Sequence, residues 1–417
     1  MEKEEKKPRK KHSILEVFDY LSLKYEIRKN TLTLELEIRE KGKEEFIQLD
    51  ESFLNSIWID LQLDGFKMSD SKLMKVLNSK LTDSYNPLKD YFMNLPEWDG
   101  VDHISELAST IEIEDIEIDN IKLQELWLPF FRKWLVGCVA TAIGRGVNHL
   151  CLILVGGQGL GKTTWLNKLC PKELGNFLVC SHINPTLTDT VTANYLAEKW
   201  FVNIDDQLET IFGKDFNSMK AIITAPKVSN RKTWHRFTKE RKRVCNFMGS
   251  VNNPKFLTDA ENRRYLVFTA KDIDFKHNIN MSQVYAQALE LLQTGHPYWI
   301  DNQEIKQLNK INEIYRQVPI EEEWLMKLFQ PCEPTDPKAK FLMPSEILSK
   351  MNGISGLKMT SRRVSNAIQK LGFSKKVCKR INGLPRNVYP VIERDITDEQ
   401  SYQSDMKKAI FNQIYER

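Results

Sequence analysis

Apolar and polar residues alternate from Leu32 to Ile38, as they do along a half-buried strand. Glu51 to Leu61 and Ser69 to Leu81 instead repeat their apolar positions at helical spacing, and Ser69 and Ser71 each offer a hydroxyl to cap the second helix. Together they predict a small α+β unit over residues 13–85, behind a mostly basic, disordered tail at 1–12. Residues 86–150 read as a linker and helical lead-in. Pro87, Pro96 and Gly100 break the chain early in it. Leu123, Leu126, Leu128, Phe131, Leu135, Cys138, Val139 and Ile143 then mark a long helix from Lys122 to Ile143, ended by Gly144 and Gly146. Over 151–270 short apolar runs alternate with helical segments, the signature of a mostly parallel sheet covered by helices.

Residues 271–330 look helical, and Pro331, Pro334 and Pro337 mark a linker over 331–340. A compact unit follows at 341–391, and 392–417 form a charged, helix-prone tail. In that last unit Pro344–Met351 reads as a helix ending at Gly353. A second helix, Arg362–Leu371, is capped by Thr360 and stopped by Gly372. Lys375–Ile381 and Leu384–Val391 flank Asn382-Gly383, a strong hairpin signal. Helices followed by a basic hairpin predict a winged helix.

Composition narrows this picture. The chain has 417 residues, 41% apolar and 28% charged, which suits a globular protein of two or three domains. Sixty Lys and Arg against 56 Asp and Glu leave a net charge of only +4, so a uniformly basic nucleic-acid coat is excluded and any basic surface is local. The longest apolar run, Trp134–Ile143, is shorter than a membrane span and follows Arg132 and Lys133. The charged first residues lead into no apolar core, so no secretion signal is read. The seven cysteines form no CxxC pair, and several lie in apolar runs. Buried, reduced thiols in a cytoplasmic protein are expected, and a zinc site is not.

One segment carries phosphate chemistry. The apolar run Leu152–Val155 is followed by Gly156, Gly157, Gln158, Gly159, Leu160, Gly161, Lys162, Thr163 and Thr164, which fits GxxxxGK[ST] between a strand and a helix. Glycines let backbone N–H groups turn toward phosphate oxygens. Lys162 reaches the β and γ phosphates of ATP, and the Thr163 hydroxyl ligates Mg²⁺. About 40 residues on, Trp200–Ile204 ends in Asp205-Asp206. Asp205 suits the metal and Asp206 the polarisation of an attacking water. A third strand, Val244–Val251, ends in Asn252-Asn253, where Asn252 can orient that water. Arg263 and Arg264 follow Asn262; either can act as a finger on a neighbouring subunit's γ phosphate, or make surface ion pairs.

Between the second and third strands lies Lys227–Arg243. Its bases are Lys227, Arg231, Lys232, Arg236, Lys239, Arg241, Lys242 and Arg243, and Glu240 is its one acid, so it carries +7. Trp234, His235 and Phe237 are interleaved. Cations for phosphates and aromatics for stacking make a single-strand contact, with Lys227, Arg231, Lys232, Trp234, His235, Arg236 and Lys239 as candidates. A solvated charged loop is the plainer alternative. On the C-terminal unit Arg362, Arg363, Lys375, Lys376, Lys379, Arg380 and Arg386 can meet duplex DNA, or form the solvated face of a protein-docking module.

P-loop, Asp-Asp strand, basic hairpin, Asn-ended strand and Arg pair fall in that order within about 110 residues. This resembles the superfamily-3 helicases of the AAA+ class. The chain is more similar still to the virulence-associated protein E (VapE-like) family of phages and mobile elements. That likeness rests on Asn86-Pro87 through Trp98-Asp99-Gly100, Phe131–Leu135, residues 156–164, Gly249–Asn253 and Asn262–Leu266. The resemblance implies an α/β AAA+ core that assembles as a ring and hydrolyses ATP between subunits during replication of a mobile element. The sequence departs from many AAA+ relatives in carrying Asp206 where they carry Glu. The first 85 residues show no primase-like segment, which leaves a primase or another replication protein as a partner in trans. The expected activity is an ATP-dependent DNA helicase or translocase, a hexamer, with no membrane partner. The alternative is a nucleotide-switched DNA-binding or defence and regulatory assembly ATPase that does not unwind.

Overall fold

The computed structural model describes residues 13–118, 121–211, 214–230, 239–258, 263–373, 377–381 and 383–394. Contacts divide the chain into two units. The first holds Met1–Pro254 and Glu261–Asn312, and the second holds Lys255–Ala260 and Glu313–Arg417.

The first unit opens with α1 (Ile14–Lys24), started by a reciprocal cap in which Ser13 Oγ accepts from the Glu16 amide and Glu16 accepts from the Ser13 amide. Strands β1 (Tyr25–Asn30), β2 (Leu36–Glu40) and β3 (Ile47–Gln48) follow, then α2 (Glu51–Leu63), α3 (Asp70–Leu77) and β4 (Asp83–Tyr85). The sheet order is β3-β2-β1-β4, with β4 parallel to β1. Val17, Leu21, Ile38, Ile57, Leu61 and Leu73 form its core.

The alternation at Leu32 does not begin a strand. The buried Asn30 carboxamide accepts from the Leu32 and Thr33 amides at 2.9 and 3.2 Å, and Leu34 takes a left-handed φ of 62°. This side-chain turn outcompetes extended pairing, so β2 starts only at Leu36. Ser69 is the N-cap of α3 but makes no capping hydrogen bond; its hydroxyl lies 3.2 Å from that of Ser71.

Residues 86–109 are more ordered than their breakers imply. Pro87 starts α4 (Pro87–Met93) at the position where a missing N–H costs nothing, and Asn86 caps it. After Gly100 comes α5 (His103–Ser109), then β5 (Ile111–Ile113) and the small hairpin β6 (Glu117–Ile118) and β7 (Ile121–Lys122). Helix α6 (Leu123–Ile143) ends at Gly144 with φ 78°. It is long and apolar enough to cross a bilayer, but most of it is buried within the fold. Trp127, Phe131 and Trp134 pack on Phe268, Trp165 and Phe201. Arg132 and Lys133 reach outward to Asp102 and Glu304.

The central sheet contains β8 (Cys151–Val155), β9 (Leu178–Cys180), β10 (Phe201–Asn203), β13 (Asn246–Val251) and β14 (Tyr265–Ile273), in the order β5-β14-β8-β13-β10-β9. All neighbours are parallel except the edge strand β5. Between them run α7 (Lys162–Lys168), α8 (Thr190–Glu198), α9 (Gln207–Thr210), α10 (Lys214–Thr224) and the antiparallel pair β11 (Lys227–Asn230) and β12 (Lys239–Lys242). Helices α11 (Met281–Gln293) and α12 (Asn302–Ile314) complete this part of the chain.

The second unit contains α13 (Ile320–Leu328), β15 (Phe329–Pro331), β16 (Lys340–Leu342), α14 (Pro344–Ser355), α15 (Ser361–Lys370), β17 (Val377–Ile381) and β18 (Leu384–Glu393). β18 pairs antiparallel with β15, β16 and β17. Pro331 therefore ends an edge strand rather than lying in a linker, a place where a residue without an N–H is tolerated. Helix α14 runs through Gly353 and ends at Gly356, whose φ of 69° is the left-handed stop. Thr360 is the N-cap of α15 without a side-chain hydrogen bond. Ile347, Met351, Val364, Ile368, Phe373 and Val391 form the core of this unit.

Candidate functional site

Parallel strands bring their carboxyl ends to one edge of a sheet, and here that edge collects the predicted chemistry. Val155 pairs with Val251, and β10 lies on the other side of β13. The loop after β8, the pair Asp205-Asp206 after β10 and Asn252-Asn253 after β13 therefore meet. Gly161 takes φ 81° at the start of α7, and a Cβ there would penetrate the Phe275 ring, so only glycine fits that position.

Lys162 is almost fully buried. Its Nζ donates to the carbonyls of Gly156 and Gly157, both at 2.8 Å, and to Asn252 Oδ1 at 3.0 Å. Burial pushes its pKa down, opposed by the charges of Asp206, Asp205 and Glu209. Thr163 Oγ1 lies 2.9 and 3.0 Å from the two Asp205 carboxylate oxygens. Ser250 Oγ donates to Asp205 Oδ1 and lies 3.3 Å from Thr163 Oγ1. This is a set of hard oxygen donors, of the kind Mg²⁺ selects. Asp206 adopts a left-handed φ of 52°, and its Oδ1 accepts from Asn252 Nδ2 at 3.1 Å. Burial first, then Asp205 and Glu209, push its carboxyl pKa up. Gln158, Gly159 and Thr164 are exposed, and Leu160 is half-buried.

Three contributors escaped the sequence reading. Ser250 sits on β13 one residue before its end, inside Gly249–Asn253, and only the pairing of β13 beside β8 shows that it faces Asp205. Glu209 accepts from the amides of Asn252 and Asn253. His182 Nε2 lies 3.2 Å from the Asp205 carbonyl.

Arg263 and Arg264 precede β14. That strand runs parallel to β8 with Tyr265 opposite Cys151 and Thr269 opposite Val155. The pair thus lies at the amino end of the sheet, away from its own P-loop. Arg263 is exposed and Arg264 half-buried. Asn262 lies outside the described residues.

The basic segment needs a correction. β11 and β12 do pair, with Lys227 opposite Lys242. Yet Arg241 and Arg243 point inward, and only Lys242 between them is exposed. Arg241 is held by Glu198 at 2.7 Å, Asn194 at 2.6 Å and the Leu32 carbonyl at 3.1 Å. Arg243 donates to the carbonyls of Cys245, Ile222, Ile223 and Asn148. Its pKa is lowered to about 10 by burial. These two arginines anchor the hairpin and offer nothing to a ligand. Lys227 is exposed and pairs with Glu240 at 3.1 Å. Arg231, Lys232, Trp234, His235, Arg236 and Phe237, together with the Lys239 side chain, lie outside the described residues.

In the second unit Arg362 and Arg363 are exposed on α15, and Arg363 lies 3.6 Å from Glu321. Lys379, Arg380 and Arg386 are exposed on the β17–β18 hairpin, with Lys379 Nζ over the Phe341 ring. Lys375 and Lys376 lie outside the described residues.

Two solved structures are similar over most of the chain. The apo C-terminal region of NrS-1 is 13% identical with a TM-score of 0.47, and covers 91% of this chain and 99% of that one. A structure described as the SCCmec type IV Cch active helicase is 10% identical with a TM-score of 0.37, and covers 91% and 93%. No curated protein matches. The model of the virulence-associated protein E-like domain matches residues 92–317, a span that starts in α4, takes in the whole central sheet and exceeds half the chain. The chain belongs to the virulence-associated protein E-like domain family.

Proposed function

We propose that the protein is an ATP-hydrolysing DNA translocase of superfamily-3, AAA+ type, acting as a ring in the replication of a phage or mobile element. One observation carries this reading: two hydrogen-bonded sets, Lys162–Asn252–Asp206 and Thr163–Asp205, lie side by side at the carboxyl edge of a parallel sheet. The strand order supports the AAA+ assignment, because one strand, β13, separates the P-loop strand β8 from the acidic strand β10. Mg²⁺ held by Thr163 and Asp205 would neutralise charge on the β and γ phosphates. Lys162 binds those phosphates, giving up the loop carbonyls that hold its ammonium. Asp206 accepts a proton from water, and Asn252 orients Asp206. Arg263 and Arg264 serve the neighbouring subunit's site.

The β11–β12 hairpin, with Lys227, Arg231, Lys232, Trp234, His235, Arg236 and Lys239, would grip single-stranded DNA. In the second unit, α13–α15 and the β17–β18 hairpin support a winged helix whose Arg362, Arg363, Lys375, Lys376, Lys379 and Arg380 meet duplex DNA. A primase or another replication protein would be its partner.

A second reading, a nucleotide-switched DNA-binding or assembly ATPase without unwinding, is favoured by the burial of Arg241 and Arg243, which leaves the hairpin fewer cations than its composition implies. Unwinding of a forked duplex separates the two. Translocation predicts ATP-dependent strand separation that Lys162→Ala and Lys232→Ala/Arg236→Ala each abolish. Hydrolysis without any separation by the parent protein selects the second reading.

A further inference from the structure

The Glu209 carboxylate is held at the end of β13, beside the predicted catalytic residues. Its Oε1 accepts from the Asn252 amide and, at 2.9 Å, from the Asn253 amide. These N–H groups lie just beyond β13, where ladder pairing stops. The Asn252 side chain, in turn, spans the site, with Oδ1 at 3.0 Å from Lys162 Nζ and Nδ2 at 3.1 Å from Asp206 Oδ1.

The helix that carries Glu209 is held independently. Gln207 is buried, and its carboxamide donates to the Ile183 carbonyl at 2.5 Å and accepts from the Ile183 amide at 3.0 Å. Leu208 is buried beside it. The left-handed Asp206 turns the chain so that the strand end leads directly into α9. Four consecutive residues thus have separate tasks: Asp206 faces Asn252, Gln207 and Leu208 anchor the helix, and Glu209 reaches back to the end of the neighbouring strand.

We propose that Glu209 is a positioning residue for ATP hydrolysis, holding the Asn252 backbone so that its carboxamide stays between Lys162 and Asp206. This rests on the ATPase reading above. In this proposal Glu209 acts through Asn252 and not on ATP itself. A carbonyl oxygen can accept both N–H groups as a carboxylate does, so the interaction needs an acceptor rather than a charge.

The test compares Glu209→Ala and Glu209→Gln in the full chain with Mg²⁺ and ATP. In the alanine variant kcat should fall on the order of 10- to 100-fold, while KM for ATP stays within about twofold. The glutamine variant should recover most of the rate. Hydrogen exchange over residues 246–254, followed without nucleotide, should accelerate in the alanine variant and stay near the parent in the glutamine one. A parent-like rate in Glu209→Ala, a glutamine variant as slow as alanine, or unchanged exchange would each overturn the proposal. Absence of hydrolysis by the parent protein would instead remove the ATPase reading, and the exchange measurement would still decide whether Glu209 holds Asn252.

Discussion

Thr163 Oγ1 lies 2.9 and 3.0 Å from the two carboxylate oxygens of Asp205, although 42 residues separate them in the chain. One is the first helical threonine after the P-loop lysine and the other follows a strand two places across the sheet. On the proposed function this hydrogen-bonded pair of oxygens would share a Mg²⁺ ion. Thr163→Ala should therefore lower Mg²⁺-dependent ATP turnover on the order of 100-fold, and Thr163→Ser, which keeps the hydroxyl, should stay near the parent. Phosphate release across a magnesium titration reads this. Equal turnover by the alanine variant would remove Thr163 from the metal site.

Arg243 predicts a stability effect where composition suggests a DNA-binding one. It is 2% exposed, and its guanidinium satisfies carbonyls from α10, the entry to β8 and β13's own approach. Arg243→Ala strands several buried acceptors and should cost about 3 kcal/mol or more. The exposed neighbour Lys242→Ala should stay within about 0.5 kcal/mol. Urea unfolding of both variants checks the contrast.

That contrast shows why the site was more legible than its surroundings. The P-loop, Asp205, Asp206 and Asn252 could be placed because a phosphate site demands fixed residue types at strand ends, and strand ends follow from apolar runs. Ser250 and Glu209 carry no such signal, since their roles exist only once β10 and β13 pair. In the basic segment, counting charges ignored the strand's alternation, which sends residues 241 and 243 inward and 242 outward. Leu32 failed for another local reason: the Asn30 side chain offers the backbone a turn that a hydropathy pattern does not register. Gly353 looks like a helix stop in the sequence, but a glycine ends a helix where the chain needs a left-handed φ, and here that residue is Gly356.

His103 should make stability depend on pH. Its Nε2 lies 2.9 Å from Asp99 and its Nδ1 2.9 Å from Glu106. The hydrogen bond to Asp99, with help from Glu106, raises its pKa above the usual 6.5. The folded state therefore favours the protonated ring. This contribution is complete below the unfolded value and fades as pH rises through the higher folded value. His103→Gln should lower the urea midpoint at about pH 5.5 and change it little at about pH 9. An equal loss at both values would mean that the ring matters for packing alone.

The arginine pair predicts complementation between inactive proteins. Arg263 and Arg264 enter β14 beside the start of β8, and Val155 lies opposite Thr269 at the far end. At about 3.3 Å per residue, that places the pair some 15 Å from the P-loop edge along the strand. In the proposed head-to-tail ring, a guanidinium starting there would serve a site on another copy. If the proposed roles hold, Lys162→Ala removes the phosphate-binding lysine and Arg263→Ala/Arg264→Ala the finger, so each alone should be inactive. In an equal mixture about one interface in four joins an intact P-loop to an intact arginine pair, and turnover should return to that order of the parent rate. A mixture as inactive as its components, despite mixed assembly shown by native mass spectrometry, would remove the pair from the shared site.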